Sequence, residues 1–239
     1  MYNNIDSDLH FKGENPGAVQ FGNFINYYQF HPPEERIKLL PKTIWTSEEP
    51  FTALDIGCNA GNLTVALYDF LRNNVRKDCS ILGVDIDPVL IKRAKETNKA
   101  DNVTYECLDI MDENNRRESI KNYLKSKGAG KFNAVFCFST TMWIHLNNGD
   151  EGLQRFLNYI SDICVMLIIE PQPWKCYKTA VKRMRQNGFT FPLFTQLKFR
   201  ENVEDEIEHY LTLHCNLVKV TESDRTKWGR KLLILNNTT

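Results

Sequence analysis

The sequence predicts an α/β fold: a mostly parallel, doubly wound sheet with helices on both faces. Three observations predict it. Apolar runs alternate with stretches of helical periodicity between Thr52 and Glu170, and repeated strand–helix–strand means parallel strands joined by crossover helices. The runs are near-continuously apolar rather than alternating, as strands covered on both faces must be. The pair Asp87-Pro88 announces a helix start, an N-cap followed by proline in the first turn.

The elements follow in order. Residues 1–20 are polar and are expected to form a loose tail ahead of a single domain spanning 21–239. FGNFINYYQFHPPEERIKLLP (21–41) is aromatic-rich and ends amphipathically. TALDIG (52–57) reads as a strand, and Leu63, Ala66, Leu67, Phe70 and Leu71 follow at helical spacing. SILGVDI (80–86), VTYECLDI (103–110), FNAVFCFST (132–140) and CVMLIIE (164–170) read as strands two to five. TTMWIHLNNGDEG (140–152) reads as the loop after strand four. Leu153, Phe156, Leu157 and Ile160 mark the helix after it. EHYLTLHCNLVKVTE (208–222) and KLLILN (231–236) read as two strands with no long helix between them, a closing hairpin.

Composition narrows the function classes. Lys+Arg and Asp+Glu are both 30, so the net charge is zero, and a nucleic-acid partner would need a local basic patch. The seven cysteines form no CxxC or CxxH pair, which argues against zinc or another metal. Their odd number and apolar surroundings suit reduced thiols in a reducing compartment, and a cytoplasmic location is expected. No apolar signal region opens the chain, and no apolar run is long enough to cross a bilayer, so no membrane partner is expected.

LDIGCNAGN (54–62) lies between the first strand and the first helix. Gly57 and Gly61 let the backbone pass close to a ligand, and the helix N-terminus behind them offers free amides. Asn59 stands where a dinucleotide fold wants a second glycine, and no Gly-Lys-Ser/Thr is present. The loop is therefore expected to face a carboxylate or small polar group rather than a pyrophosphate. Asp85 ends the second strand, placed for ribose hydroxyls. Asp109 ends the third, placed for an exocyclic amine. The plainer alternative is that both acids cap turns; for Asp87 capping is the preferred reading.

LDIGCNAG, GVDIDP and CLDI resemble the S-adenosylmethionine loops of class I methyltransferases. FGNF…YY…HPPEERIKLLP, TMWIHLNNGDEG and IIEPQPWKCYK resemble, more specifically, the bicoid-interacting-protein-3 family of RNA methyltransferases, and most closely its RNA 5′-monophosphate branch. The resemblance covers roughly residues 21–235. It implies a class I methyltransferase-like doubly wound seven-stranded sheet with an antiparallel last strand. It also implies S-adenosylmethionine as donor and a terminal RNA phosphate as acceptor; separately, a monomer is expected. By the same resemblance Arg36, Asn59, Asp85, Asp109 and Ile110 hold the donor, and Tyr27 and Tyr28 lie near donor and phosphate. Phe30-His31 stands where the small-nuclear-RNA-capping branch carries Tyr-Arg, which favours a monophosphate end.

The chemistry suggests further roles. Methyl transfer between opposite charges favours a dry pocket, so Trp143 and Ile144 are expected to exclude water. His145 is expected to donate to a phosphate oxygen and Asn147 to orient it, with Asp150 left to capping. Trp174 is expected to stack on a terminal base. Lys175, Lys178, Lys182, Arg183 and Arg185 offer a basic face for RNA, with Lys178, Lys182 and Arg185 together on one side of a helix. Glu170 is read as bonding the pocket's polar groups or as structural. Phe189, Phe191 and Phe194 read as core or lid packing and Glu201–Glu208 as a solvated helix face. The alternatives are a small-nuclear-RNA γ-phosphate capping enzyme and a small-molecule methyltransferase of the same fold.

Overall fold

The computed structural model describes residues 9–10, 12–15, 17–45 and 51–238. Seven strands, β1 (Thr52–Ile56), β2 (Ser80–Asp85), β3 (Val103–Cys107), β4 (Phe132–Phe138), β5 (Cys164–Glu170), β6 (Leu217–Glu222) and β7 (Leu233–Asn237), form one sheet in the order β3-β2-β1-β4-β5-β7-β6. The first five run parallel, and β7 is antiparallel to both β5 and β6. Eight α-helices accompany them among the described residues: α1 (Tyr27–Phe30), α2 (Pro33–Ile37), α3 (Asn62–Asn74), α4 (Pro88–Thr97), α5 (Glu113–Ser126), α6 (Thr141–Asp162), α7 (Trp174–Gln186) and α8 (Val203–His214).

The strand pattern divides the core into two layers. Alternate residues of one strand go to opposite faces. Leu54 and Ile56 of β1 thus join the core beneath α5 to α8, whereas Ala53 joins Leu67, Leu71 and Ile91 beneath α3 and α4. Leu67 and Leu71 are fully buried, and burying each such side chain stabilises the fold by about 1.5–3 kcal/mol. Asp87 caps α4 as expected: its Oδ1 accepts from the amides of Val89 and Leu90, and Pro88 stands in the first turn. In α5, Arg116, Ile120, Tyr123 and Leu124 make a narrow buried stripe on an otherwise polar helix.

Three expectations are corrected. TTMWIHLNNGDEG is not a loop: α6 starts at Thr141, with a kink at Gly149 (φ 69°), so Trp143 to Asn148 lie on helix. The stretch 208–214 continues α8 rather than a strand, because Val203, Ile207 and Leu211 are buried four residues apart and anchor one helical face. The segment before residue 21 is not loose from Lys12 onward. The Lys12 amide donates to Ala18 O, and Ala18 and Val19 are buried. The first eight residues of that expected tail lie outside the described residues. No described helix is long and apolar enough to cross a membrane.

The strand order reverses between β1 and β4, so a crevice opens beyond their carboxyl ends. The loop after β1, the turns after β2 and β3, and the start of α6 all converge there.

Candidate active site

Two cavities occupy this crevice. The first, about 330 Å³, is lined by Gln20 to Asn23, Tyr27, Tyr28, Arg36, the ends of β1 to β4, and Trp143, Ile144, Asn147 and Asn148 of α6. The second, about 950 Å³, lies between the segment from Asn15 to His31, the start of α6 and the cationic face of α7. Tyr27, Ser139 and Trp143 line both.

The loop after β1 shapes the floor of the first cavity. Gly57 has φ 76°, and a Cβ there would stand 2.7 Å from Thr140 Oγ1. Gly61 (φ 84°) opens α3, where a Cβ would meet the Tyr105 hydroxyl at 2.5 Å. Gly61 does not line the cavity, so its role is to let the loop turn rather than to touch a ligand. Asn59 lines the cavity with φ 53°; its side chain donates to Phe24 O and accepts from the Ala60 amide.

Three carboxyl groups face this space, Asp55 and Asp85 buried and Asp109 half-buried. Asp85 accepts from the amides of Asn59 and Asp87, each at 2.9 Å. Burial pushes its pKa up to about 6, with the Asp87 carboxylate adding to the rise against those two amide bonds. Asp55 takes a bond from Thr64 Oγ1 at 2.7 Å, yet burial raises it to about 7. Asp109 accepts from the Met111 amide and is also raised by burial, and Ile110 lies beside it on the wall. Tyr28 donates to Cys58 O.

Arg36 is fully buried at the meeting of the two cavities. Its Nε donates to Glu170 Oε2 at 2.7 Å, and Nη2 donates to the Tyr27 hydroxyl and to Ser139 Oγ. Its Nη1 has no partner. A buried N–H left open costs free energy unless a ligand or water takes it. The donor implied by the sequence resemblance, S-adenosylmethionine, fits on three observations. The cavity has the volume of a small-molecule site, carboxyl groups stand at the ends of β2 and β3, and the unsatisfied Nη1 suits a carboxylate.

Other expected residues lie elsewhere. His145 is fully buried and lines neither cavity. Nε2 meets Asp150 Oδ1 at 2.9 Å and Nδ1 meets the Tyr177 hydroxyl at 3.1 Å, so neither nitrogen is left for a phosphate. Burial lowers its pKa and so favours the neutral ring, an effect that Asp150 partly offsets. Asp150 does not cap its own helix; it accepts from the amides of Lys198 and Phe199 and ties that loop to α6 through His145. Glu170 is likewise fully buried, taking bonds from Arg36, Ser139 and the Trp228 indole. It orients Arg36 and lines no cavity. Trp174 is stacked on Phe194 with ring centres 5.2 Å apart and Arg200 over its ring, and it lines neither cavity.

Asn147 does reach the first cavity. It spends its amide on the carbonyls of Gln20 and Trp143, holding the N-terminal segment over that cavity. On α7 the register shifts. Lys175, Thr179 and Arg183 line the second cavity, while Lys178 and Lys182 open with them onto a shallow outer groove and Arg185 onto neither.

Sequence reasoning missed Asp55, Ser139 and Arg230. Ser139 follows β4 at the topological switch point, a position that alone marks it for attention. Arg230 is some sixty residues from the EPQPW motif and carries no local signal.

A seven-stranded, doubly wound sheet with one antiparallel strand and a polar cavity at the switch point defines a Rossmann-like methyltransferase. A generic methyltransferase-domain profile matches residues 53–162, and the profile of Bicoid-interacting protein 3 (Bin3) matches 132–237. The N-methyltransferase NodS from Bradyrhizobium japonicum WM9 superposes with a TM-score of 0.56 at 13% identity, over 90% of this chain and 98% of that one. The RNA 5′-monophosphate methyltransferase of Mus musculus is 41% identical over 237 residues, covering 92% of this chain and 83% of its own. The pre-miRNA 5′-monophosphate methyltransferase of Xenopus laevis is 40% identical, covering 92% of both. The chain belongs to the bicoid-interacting protein 3 family.

Proposed function

We propose that this protein transfers the methyl group of S-adenosylmethionine to the 5′-monophosphate of a structured RNA, a tRNA or a small-RNA precursor. One observation carries the reading. A small cavity rich in carboxyl groups meets a larger one rimmed by Lys175, Arg183 and Arg230, and Tyr27, Ser139 and Trp143 line both. The relatives named for RNA 5′-monophosphate methylation support the same acceptor.

The residues suit the chemistry. A phosphate monoester has its second pKa near ~6 and is largely dianionic at neutral pH, so its oxygen needs no general base. S-adenosylmethionine supplies an electrophilic methyl group. The chain has to align the two partners and keep water out. Trp143 and Ile144 wall the first cavity. The Tyr27 oxygen accepts from Arg36, which leaves its own proton to donate towards the second cavity. Asp85, Asp109, Asn59 and Arg36 hold the donor. Lys175 and Arg183 meet the RNA backbone, with Lys178 and Lys182 on the outer groove. Zero net charge is compatible with this, since α7 carries five cations and no acidic residue.

Seven free cysteines, five of them buried, support a reducing, cytoplasmic setting. Among the described residues no cluster of His, Cys, Asp and Glu could hold a metal ion.

The test uses one transcript ending in 5′-hydroxyl, monophosphate or triphosphate, with methyl-labelled donor. Label is expected only in the monophosphate form. Labelling of the hydroxyl form or of internal positions refutes the phosphate reading, and preference for the triphosphate moves the activity to γ-phosphate capping.

A further inference from the structure

Arg230 sits just before β7, is 9% exposed and lines the larger cavity. Its Nη1 donates to Ser139 Oγ and its Nη2 lies 3.9 Å from Cys176 Sγ, while its Nε has no partner. Among the described residues no carboxylate bonds it. Glu170 gives Oε2 to Arg36 and Ser139 and Oε1 to Trp228. The one carboxylate nearby is bonded to Arg36, so Arg230 feels its charge without a bonded counter-ion, and a buried charge short of bonded partners is costly. A bound anion removes that cost.

His31 lines the same cavity. Its ring is stacked on Tyr27, centres 4.6 Å apart and 13° from parallel, and its Nδ1 is buried without a partner. Burial, then Arg230 and Arg36, lower its pKa to about 4, so the ring is neutral at physiological pH. A neutral imidazole can lend one N–H without adding a second positive charge.

We propose that Arg230, through its open Nε–H and with the His31 ring beside it, is the seat of the RNA's terminal phosphate. This rests on the 5′-phosphate reading and names the groups that carry it. Ser139 fixes the Arg230 fork and also lines the donor cavity, so the seat is tied to the side from which the methyl group arrives. Lys175 and Arg183 lie on α7 at the same cavity, placed for the phosphates that follow the first nucleotide. One fixed guanidinium with a neutral neighbour grips a dianion without a surplus of charge to blunt its nucleophilic oxygen.

The test compares binding of 5′-monophosphate and 5′-hydroxyl forms of one transcript to the full chain. The wild type should prefer the monophosphate by about 10- to 100-fold, the range for a hydrogen bond to a charged group. Arg230→Gln should reduce that preference to about twofold or less, with affinity for the hydroxyl form and for S-adenosylhomocysteine unchanged. Arg230→Lys should recover only part of it, because a point charge lacks the directed Nε–H. His31→Ala should lower the preference several-fold, and it keeps the test open should Arg230→Gln lose S-adenosylhomocysteine binding through misfolding. An Arg230→Gln protein that binds S-adenosylhomocysteine normally and keeps its full monophosphate preference overturns the seat while leaving the acceptor intact. A wild type that methylates without distinguishing the two ends overturns the acceptor reading and the seat with it.

Discussion

Removing Glu170 separates a positioning role from a substrate contact. Glu170 and Arg36 are both fully buried and bonded at 2.7 Å. Glu170→Ala leaves Arg36 as an uncompensated charge in the core, a change that costs about 3–5 kcal/mol. Ser139 and the Trp228 indole lose an acceptor in the same step. Against a whole-domain stability of about 5–15 kcal/mol, that is roughly a fifth or more of the total. For a chain of this length each kcal/mol moves Tm by about 2–4 °C, so a loss of about 4 kcal/mol is a drop of roughly 8–16 °C. Glu170→Gln keeps an oxygen for Arg36 Nε and should fall between. Urea titration and thermal melts of the three proteins measure it, with S-adenosylhomocysteine calorimetry reporting the effect relayed through Arg36. A Glu170→Ala protein within about 1 kcal/mol of wild type, with a raised KM for RNA alone, would refute the positioning role and restore a direct substrate contact.

Two further outcomes follow from the buried titratable groups. The Asp85 pKa is raised to about 6, so near pH 6 about half of these groups carry a proton. Hydroxyl donors from a bound nucleoside favour the ionised form, so binding near pH 6 releases protons and affinity climbs with pH through about 6 before levelling. Calorimetry in two buffers of different ionisation enthalpy should show the release, Asp85→Asn should weaken binding and reduce the release, and a heat independent of buffer contradicts the assignment. His145→Ala should destabilise the fold by about 2–4 kcal/mol, because Tyr177 and Asp150 lose their partner in the core, while kcat at saturating RNA stays within about threefold. The wild-type His145 contribution to pH dependence acts on folding rather than on donor binding. Its pKa is lowered, so its stability is present above the unfolded value near ~6.5 and is lost as pH falls. A large kcat loss in a stable His145→Ala protein would return His145 to the reaction.

The parallel strands were legible because strands covered on both faces leave apolar runs that no helix of that length matches, and all five stand within a few residues of their expected bounds. The loop after β1 was legible as part of a cavity wall because a glycine-rich turn between a strand and a helix lets the backbone approach the crevice. The start of α6 was not. Trp143, His145, Asn147 and Asn148 mix apolar and polar side chains because one face of the helix walls a cavity while His145 turns into the core, which blurs the helical period. His145 misled for the same reason: a histidine near a strand end is an equally good ligand or core tie, and only its two partners decide. The basic residues of α7 were visible as a group, but which of them face the larger cavity depends on the docking angle of the helix. That angle is set by Tyr177, Ala180, Val181 and Met184, which are buried. Arg230 gave no signal, since its meaning depends on a contact with Ser139 across 91 residues.

Ser139 shows how the two cavities are held in register. It has φ 58°, a conformation that costs a residue with a side chain about 1–2 kcal/mol. Glycine would relieve that strain, yet serine is present. Its hydroxyl accepts from Arg36 on the donor side and from Arg230 on the acceptor side, and donates to Glu170 between them. Deleting it leaves two buried guanidinium donors and one carboxylate each short of a bond, at about 1–3 kcal/mol per unsatisfied group. The bonds outweigh the strain, so the strained serine is the stable choice. The same balance fixes Arg36 relative to Arg230. A methyl donor and a phosphate held by those two arginines then share one rigid reference point, and alignment of acceptor oxygen with methyl group is the contribution that this chemistry asks of the protein.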